Sequence, residues 1–392
     1  MKDTTQGAEI NLNRGLPLAL ALLLPTIGGM VFIVQPGFVQ GLVESGGFTD
    51  KQAGYLSSFE LGGFAVANIA MTIISTRVNW RSTLILSLII AALANLACIW
   101  IRDFNLFAGL RVLSGLGLGG AVSVGFGTIG LTRKPDRNYG VSIAITAIYG
   151  ALFLWKLPAF INAFALNGML VLFVILAVGT IPLSRYAPEF VRDHAQNRKD
   201  VSELSPILWM PALTSIFFYF MAQSAVWAYL FLVGTSSGAT DLEVAAALTL
   251  SQVGGVVGAL FPALVGERFG RLLPLTISIA ASAIPLLILV GGATPLAFTI
   301  IVCVYYGAWN MTHPYLLATY ASFDATGRKV VYAVALQTTG MAVGPAVAAA
   351  LITDGNYTPI LWLGIGLFIA SFVTIVPAAL AQLRMKRAAF KS

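Results

Sequence analysis

Charge is scarce in this chain. Asp, Glu, Lys and Arg together make up 10% of its 392 residues, against about 25% in a typical soluble domain. That scarcity argues against a soluble enzyme or a soluble binding module. Cysteine is limited to Cys98 and Cys303, which lie in separate apolar runs and lack metal-ligand spacing. Both read as buried free thiols. Histidine is limited to His194 and His313. No apolar run carries a His/Asp/Glu cluster, and no glycine-rich phosphate loop with a lysine occurs. These absences point away from a metalloenzyme, and an ATP-driven pump would need a nucleotide-binding segment this chain does not have. No extramembrane domain is present through which a sensor could signal. No cofactor and no enzymatic activity are expected.

Apolar sequence is abundant instead. Hydrophobic residues form 58% of the chain. Twelve apolar segments can be drawn, at roughly 16–43, 53–75, 82–101, 104–131, 138–163, 167–185, 207–233, 244–265, 272–291, 295–319, 329–352 and 358–382. About 20 apolar residues cross a bilayer. Backbone amides in lipid must be satisfied within the segment, so these spans are expected to be helices. The first run is too long for a signal-peptide core and is expected to be retained.

The net charge of +7 could suggest nucleic acid, but the basic residues sit in short loops between spans. With the N-terminus placed in the cytoplasm, nineteen Lys and Arg fall on that side and two, Lys51 and Arg102, on the other. This is a strong positive-inside bias. It predicts an integral protein of a bacterial inner (plasma) membrane with both termini cytoplasmic, and no nucleic-acid partner. The longest polar stretch runs from Tyr186 to Ser205 and contains His194, which reads as a solvated loop residue. It separates a first lobe (1–185) from a second (207–392), with 186–206 as a cytoplasmic linker.

The two halves repeat. Arg77 and Arg268 are 191 residues apart, as are Arg137 and Arg328. Gly62-Gly63 in span two matches Gly254-Gly255 in span eight at 192. Six spans per half give both copies the same orientation, related by a two-fold axis along the membrane normal.

The loop between spans eight and nine reads Gly266-Glu267-Arg268-Phe269-Gly270-Arg271. Its first-half counterpart, Ser75-Thr76-Arg77-Val78-Asn79-Trp80-Arg81, has Thr76 in the acid's place and Asn79 for the glycine. Span four carries Arg111-Val112-Leu113-Ser114-Gly115. With twelve spans and the repeat, these motifs resemble the major facilitator superfamily. The resemblance implies an all-α fold of two six-helix lobes, with substrate bound between them. It also implies gating loops built on Arg77, Arg81, Glu267, Arg268 and Arg271, with Thr76 weakening the first latch. Exporters of this family often carry G-x-x-x-G-P in the fifth helix. Here that run is absent from span five and occurs instead at Gly340–Pro345 in span eleven, which argues against a drug exporter. Gly340 and Gly344 can also be read simply as close-packing positions.

Glu60, Arg111 and Lys156 are the charged residues well inside apolar segments. Charge in hydrocarbon usually marks function and has a partner nearby. At 1.5 Å per residue each lies about 10 Å from the extracytoplasmic side, so one ion network is expected. Its surplus positive charge suits an organic anion, with Arg111 and Lys156 receiving a carboxylate. Tyr149, Trp155 and Trp227 are candidates to stack on its body. Glu60 is the proposed proton-coupling group, against the alternative of a structural ion pair.

In the second lobe His313, preceding Pro314, is a second candidate proton site, or a polar residue bonded to the carbonyl that Pro314 frees. Trp309, Asn310, Gln35, Gln223 and Gln337 are further candidate substrate contacts, with interhelical hydrogen bonding as the alternative. Gln252 lies 192 residues from Glu60. The expectation is a monomeric secondary transporter importing a small organic anion with protons. The alternative is a proton-coupled antiporter exporting drugs or metabolites.

Overall fold

The computed structural model describes residues 11–190, 206–265, 268, 270–321 and 328–389. These form twelve α-helices: α1 (Gly15–Ile33), α2 (Gln35–Glu44), α3 (Asp50–Ile74), α4 (Trp80–Ala97), α5 (Phe104–Gly130), α6 (Pro135–Thr180), α7 (Pro206–Ser236), α8 (Asp241–Val265), α9 (Leu272–Val290), α10 (Pro295–Ala321), α11 (Arg328–Leu351) and α12 (Thr358–Ala389). Polar residues start the helices where the sequence supplies them. Thr49 and Gln52 close a reciprocal capping box on α3, while Asn79 and Asp103 cap α4 and α5 with their side chains. Each satisfies an amide that the first helical turn leaves free.

Two spans differ from expectation. Span one is broken at Val34 (φ −105°, ψ 20°) into α1 and α2. Pro36 explains this, because it has no amide for the Phe32 carbonyl one turn back and its ring clashes there, so a new helix starts with the proline in its first turn. Spans five and six run together as α6, interrupted by Ala165 alone (φ 55°, ψ −163°). The rings of Phe153 and Phe173 stack at 6.4 Å across that residue. Twenty residues of straight helix would separate them by about 30 Å, so the chain folds back at Ala165. A short 3₁₀ turn, Ile181–Tyr186, follows.

In the first lobe α5 packs against α1, α3 and α4. In the second, α10 packs on α8 and α9, and α7 packs on α11 and α12. Between the lobes α3 meets α11, α6 meets α8, and α2 meets α7. The repeat maps span two onto eight and five onto eleven, so the first two contacts are equivalent. Glycines set the closest approaches. A Cβ on Gly63 would lie 2.1 Å from the Val112 carbonyl oxygen, and one on Gly115 would lie 1.8 Å from that of Glu60. Gly258 against Gly307 is the same device between α8 and α10, at 2.0 Å. Gly340 and Gly344 similarly bring α11 onto α7, with carbonyl oxygens of Phe217 and Met221 2.4 and 2.5 Å from an added Cβ.

Hydrogen bonds between the lobes gather toward the Asp50 end of the bundle. Trp227 Nε1 donates to the Phe32 carbonyl (3.1 Å) and Tyr229 Oη to that of Asp50 (2.8 Å). Tyr357 Oη donates to Asp50 Oδ2 (2.8 Å).

Gly115→Val should force α3 and α5 apart and destabilise the protein by about 1–3 kcal/mol. Gly62→Ala, where nothing lies within 4 Å of the added atom, should be tolerated. Thermal melting in detergent compares the two.

Candidate functional site

The first-lobe charges resolve into a pair. Arg111 Nη1 lies 3.3 Å from Glu60 Oε1, joining α5 to α3. Arg111 is fully buried and Glu60 is 4% exposed. Ser114 Oγ donates to the same Oε1 (2.8 Å). The other face of the guanidinium fork donates to Asn95 Oδ1 (2.9 Å) and to Cys98 Sγ (3.3 Å), both presented by the end of α4. Asn95 Nδ2 in turn donates to Ser114 Oγ (3.0 Å) and to the Ala91 carbonyl (2.8 Å). Phe38 and Phe107 flank the guanidinium with ring centroids 5.5 and 5.4 Å away. Such stacking suits the weakly hydrated, planar arginine cation.

Lys156 does not join this pair. It is exposed on α6, with Nζ 4.1 Å from the ring centroid of Trp155, itself 53% exposed. The three-member network expected from equal depth is therefore corrected to Glu60 and Arg111, and the helix turns Lys156 and Trp155 outward. Gly37 and Leu157 fill the corresponding inner contact between α2 and α6. Tyr149 faces inward, where its hydroxyl donates to the Met30 carbonyl (3.2 Å).

A second group of candidates meets at the seam between the lobes. Trp227 stacks on Tyr306 at 4.9 Å, and Trp309 meets both edge-on at 6.2 and 5.3 Å. Phe32 of the first lobe meets Trp309 edge-on at 5.5 Å. One turn along α10, His313 lies against Phe220 at 4.9 Å, and its Nε2 donates to Gln337 Oε1 on α11 (3.0 Å). The imidazole thus bonds Gln337 rather than the carbonyl that Pro314 frees. Asn310 donates to the Tyr306 carbonyl (2.9 Å) and stands over Gly255 of α8. Tyr306, Asn310, His313 and Gln337 are half-buried. Gln252 lies over Gly150 of α6, across the lobe interface. Gln223 and Gln35 are buried, at 0% and 1% exposure.

The loop residues separate. Arg77 and Arg268 are exposed, Arg271 is half-buried at the start of α9, and Glu267 lies outside the described residues, as does His194. Arg81 has an acid partner that its own loop lacks. Glu189, just beyond the 3₁₀ turn, pairs with it at 2.8 Å, and its carbonyl accepts from the Trp80 amide at 2.8 Å. Thr76 gave no hint of this, because the acid arrives from more than a hundred residues downstream. Cys98 and Ser114 were also missed as partners of the buried pair. The signal available was their helical spacing from Asn95 and Arg111.

Arg111→Met should strand the Glu60 carboxylate and cost about 3–5 kcal/mol, as should other truncations of a buried pair. Glu60→Gln combined with Arg111→Met should recover much of that loss. A double-mutant cycle on melting temperature measures the coupling.

The Major Facilitator Superfamily profile matches residues 20–336. No curated protein matches the sequence. Among solved structures, the nucleoside transporter NupG aligns with a TM-score of 0.73 at 11% identity, over 93% of this chain and 100% of its own. The transporter FucP in its outward conformation gives 0.61 at 17% identity, over 93% and 97%. The human organic anion transporter MFSD10 gives 0.64 at 15% identity, over 91% and 97%. At these identities the likeness speaks to fold, and the profile match carries the family. A twelve-helix, two-lobed membrane protein matched over most of its length in this way belongs to the major facilitator superfamily.

Proposed function

We propose that this protein is a secondary transporter that carries a small, uncharged, ring-bearing solute between its lobes by alternating access, with Glu60 as the proton-coupling group. The observation that carries the reading is the chemistry of the seam. Trp227, Tyr306 and Trp309 form an aromatic cluster there, with the His313–Gln337 pair and Asn310 beside it. Aromatic walls with a few uncharged polar groups are the usual makeup of a small-molecule site.

An organic anion was the expectation from charge alone. It needs Arg111 and Lys156 to face one cavity. Arg111 is engaged by Glu60, Asn95 and Cys98, and Lys156 is exposed beside Trp155. Those positions favour the uncharged solute. A nucleoside, the cargo of the similar transporter NupG, combines a planar ring with hydroxyl groups and is the natural first probe. An organic anion, the cargo of another, is the competing class to test beside it.

Coupling through Glu60 is electrostatic. Protonating Glu60 removes the charge that balances Arg111 inside the lobe, and a buried unpaired cation is costly. Protonation is thereby linked to how α3 sits on α5, and α3 is a lobe-interface helix. Proton and solute moving together give symport. With the positive-inside assignment the Asp50 end is extracytoplasmic, and the lobes joined there describe an inward-facing state. A monomer in a bacterial inner membrane, with residues 186–206 as the linker between lobes, completes the reading. The alternative is proton-coupled antiport.

Proteoliposomes loaded with purified protein test it. Uridine, a carboxylate such as benzoate and an amphipathic cation are offered with and without an imposed pH gradient. Accumulation of uridine driven by outside acid is expected. Glu60→Gln should abolish that accumulation and spare counterflow exchange. Proton-driven accumulation that survives Glu60→Gln would remove Glu60 from coupling, and accumulation driven by the opposite gradient would mean antiport.

A further inference from the structure

Behind Phe32 lies a small cavity of ≈ 10 Å³, walled by Phe32, Gln35, Ser57, Glu60, Phe64 and Gly115 among others. That is room for roughly one water-sized group. Its polar lining is unusual. Gln35 and Ser57 are 1% and 2% exposed, yet both amide atoms of Gln35 and the Ser57 hydroxyl lack a hydrogen-bond partner. Buried side-chain polar atoms are overwhelmingly partnered, and those that are not call for an explanation. Glu60 adds an acceptor, since the hydrogen bonds it receives from Arg111 and Ser114 both end on Oε1.

We propose that Gln35, Ser57 and Glu60 form a subsite for one hydroxyl group of the transported solute. This rests on the reading of the Trp227–Tyr306–Trp309 cluster as the seat of the solute's ring. The occupant's chemistry follows from the wall. A hydroxyl can accept from the protonated Glu60 carboxyl, as symport requires, while donating to the Gln35 amide oxygen or the Ser57 hydroxyl; on ionised Glu60 the same hydroxyl turns donor. A carboxylate would be repelled by Glu60. An ammonium or metal cation would meet the Arg111 guanidinium, 3.3 Å from Oε1. A neutral donor–acceptor group answers both constraints, and its size matches the cavity.

Placement supports the same assignment. Phe32 is the wall shared by the cavity and the aromatic cluster. It lines the one, and its ring meets Trp309 at 5.5 Å while its carbonyl accepts from Trp227. A solute with its ring on the tryptophans is therefore one side chain away from the cavity. The break at Val34 starts a new helix at Gln35, which places an amide at the cavity wall just after the aromatic contact.

The subsite also ties recognition to coupling. A hydroxyl bonded to Glu60 touches the group that carries the proton, so solute binding and protonation act on one carboxylate. Sites built to hydrogen-bond a substrate hydroxyl discriminate strongly against analogues lacking it, because their own polar groups are then left unpaired.

The test uses the full-length protein in nanodiscs, with uridine and 2′,3′-dideoxyuridine as probes. Calorimetric affinities and melting temperatures are compared for wild type, Gln35→Leu and Ser57→Ala. Wild type should bind uridine at least about tenfold more tightly than the dideoxy analogue. Gln35→Leu should erase most of that preference, and Ser57→Ala part of it, with dideoxyuridine affinity unchanged. Without ligand, Gln35→Leu should melt at or above wild type, because it removes an unpartnered buried amide. A preference that persists in both variants overturns the subsite and leaves the ring site standing. So does a fall in the ligand-free melting temperature of Gln35→Leu, which would mark the amide as a structural hydrogen-bonding group. If neither probe binds wild type, the ring-solute reading fails and the subsite for its hydroxyl falls with it; the ligand-free melting temperatures show whether the amide is structural in either case.

Discussion

The buried Glu60–Arg111 pair is the constraint around which the first lobe is organised. An arginine with no exposure at all must have its charge balanced and most of its donors met; here both terminal nitrogens are bonded and Nε is not. Three helices contribute to that. α3 brings the carboxylate, α5 the guanidinium and Ser114, and α4 Asn95 and Cys98. The geometry needs α3 and α5 nearly in backbone contact, which Gly63 and Gly115 allow. Phe38 on α2 and Phe107 on α5 then seal the cation from both sides. Close packing and charge burial thus depend on each other.

The second lobe keeps the packing of the first without its charge. Gly258 and Gly307 bring α8 onto α10 as Gly63 and Gly115 bring α3 and α5 together. Where the first lobe has Glu60, the repeat has Gln252, an uncharged residue of similar size. Gln337, Asn310 and His313 lie near the seam, set among tryptophan, tyrosine and phenylalanine. The two repeats are therefore unequal lobes. One holds a buried acid–base pair, and the other presents an aromatic surface to its partner. Phe32 and Trp227 are one point at which the two meet.

Much of this was legible in the chain. Apolar length, the 191-residue repeat and the loop motifs reached the two-lobed fold and the family. Depth put the acid and the arginine at one level, together with Lys156. Lys156 shows why depth alone was insufficient. Successive helical residues are turned by about 100° from one another, so a residue at the correct level can still face outward, as Lys156 and Trp155 do. The reversal inside α6 was visible as a gap between spans, but Ala165, which makes it, is neither glycine nor proline and carries no turn signature. The partner of Arg81 was hidden for a different reason. The loop has Thr76 where the acid is expected, and Glu189 supplies one from a remote stretch that only folding brings near.

By itself the sequence determined that this protein lives in a membrane, that it repeats, and that it buries an acid and a base in its first half. Those properties follow from composition and from the energetic demands of a bilayer, which act on each segment separately. Tertiary structure decided which groups meet. Helix rotation and the distance of closest approach arise from contacts between segments far apart in the chain. They placed Arg111 on Glu60, turned Lys156 away, and set Gln35 and Ser57 around a cavity behind the aromatic seam.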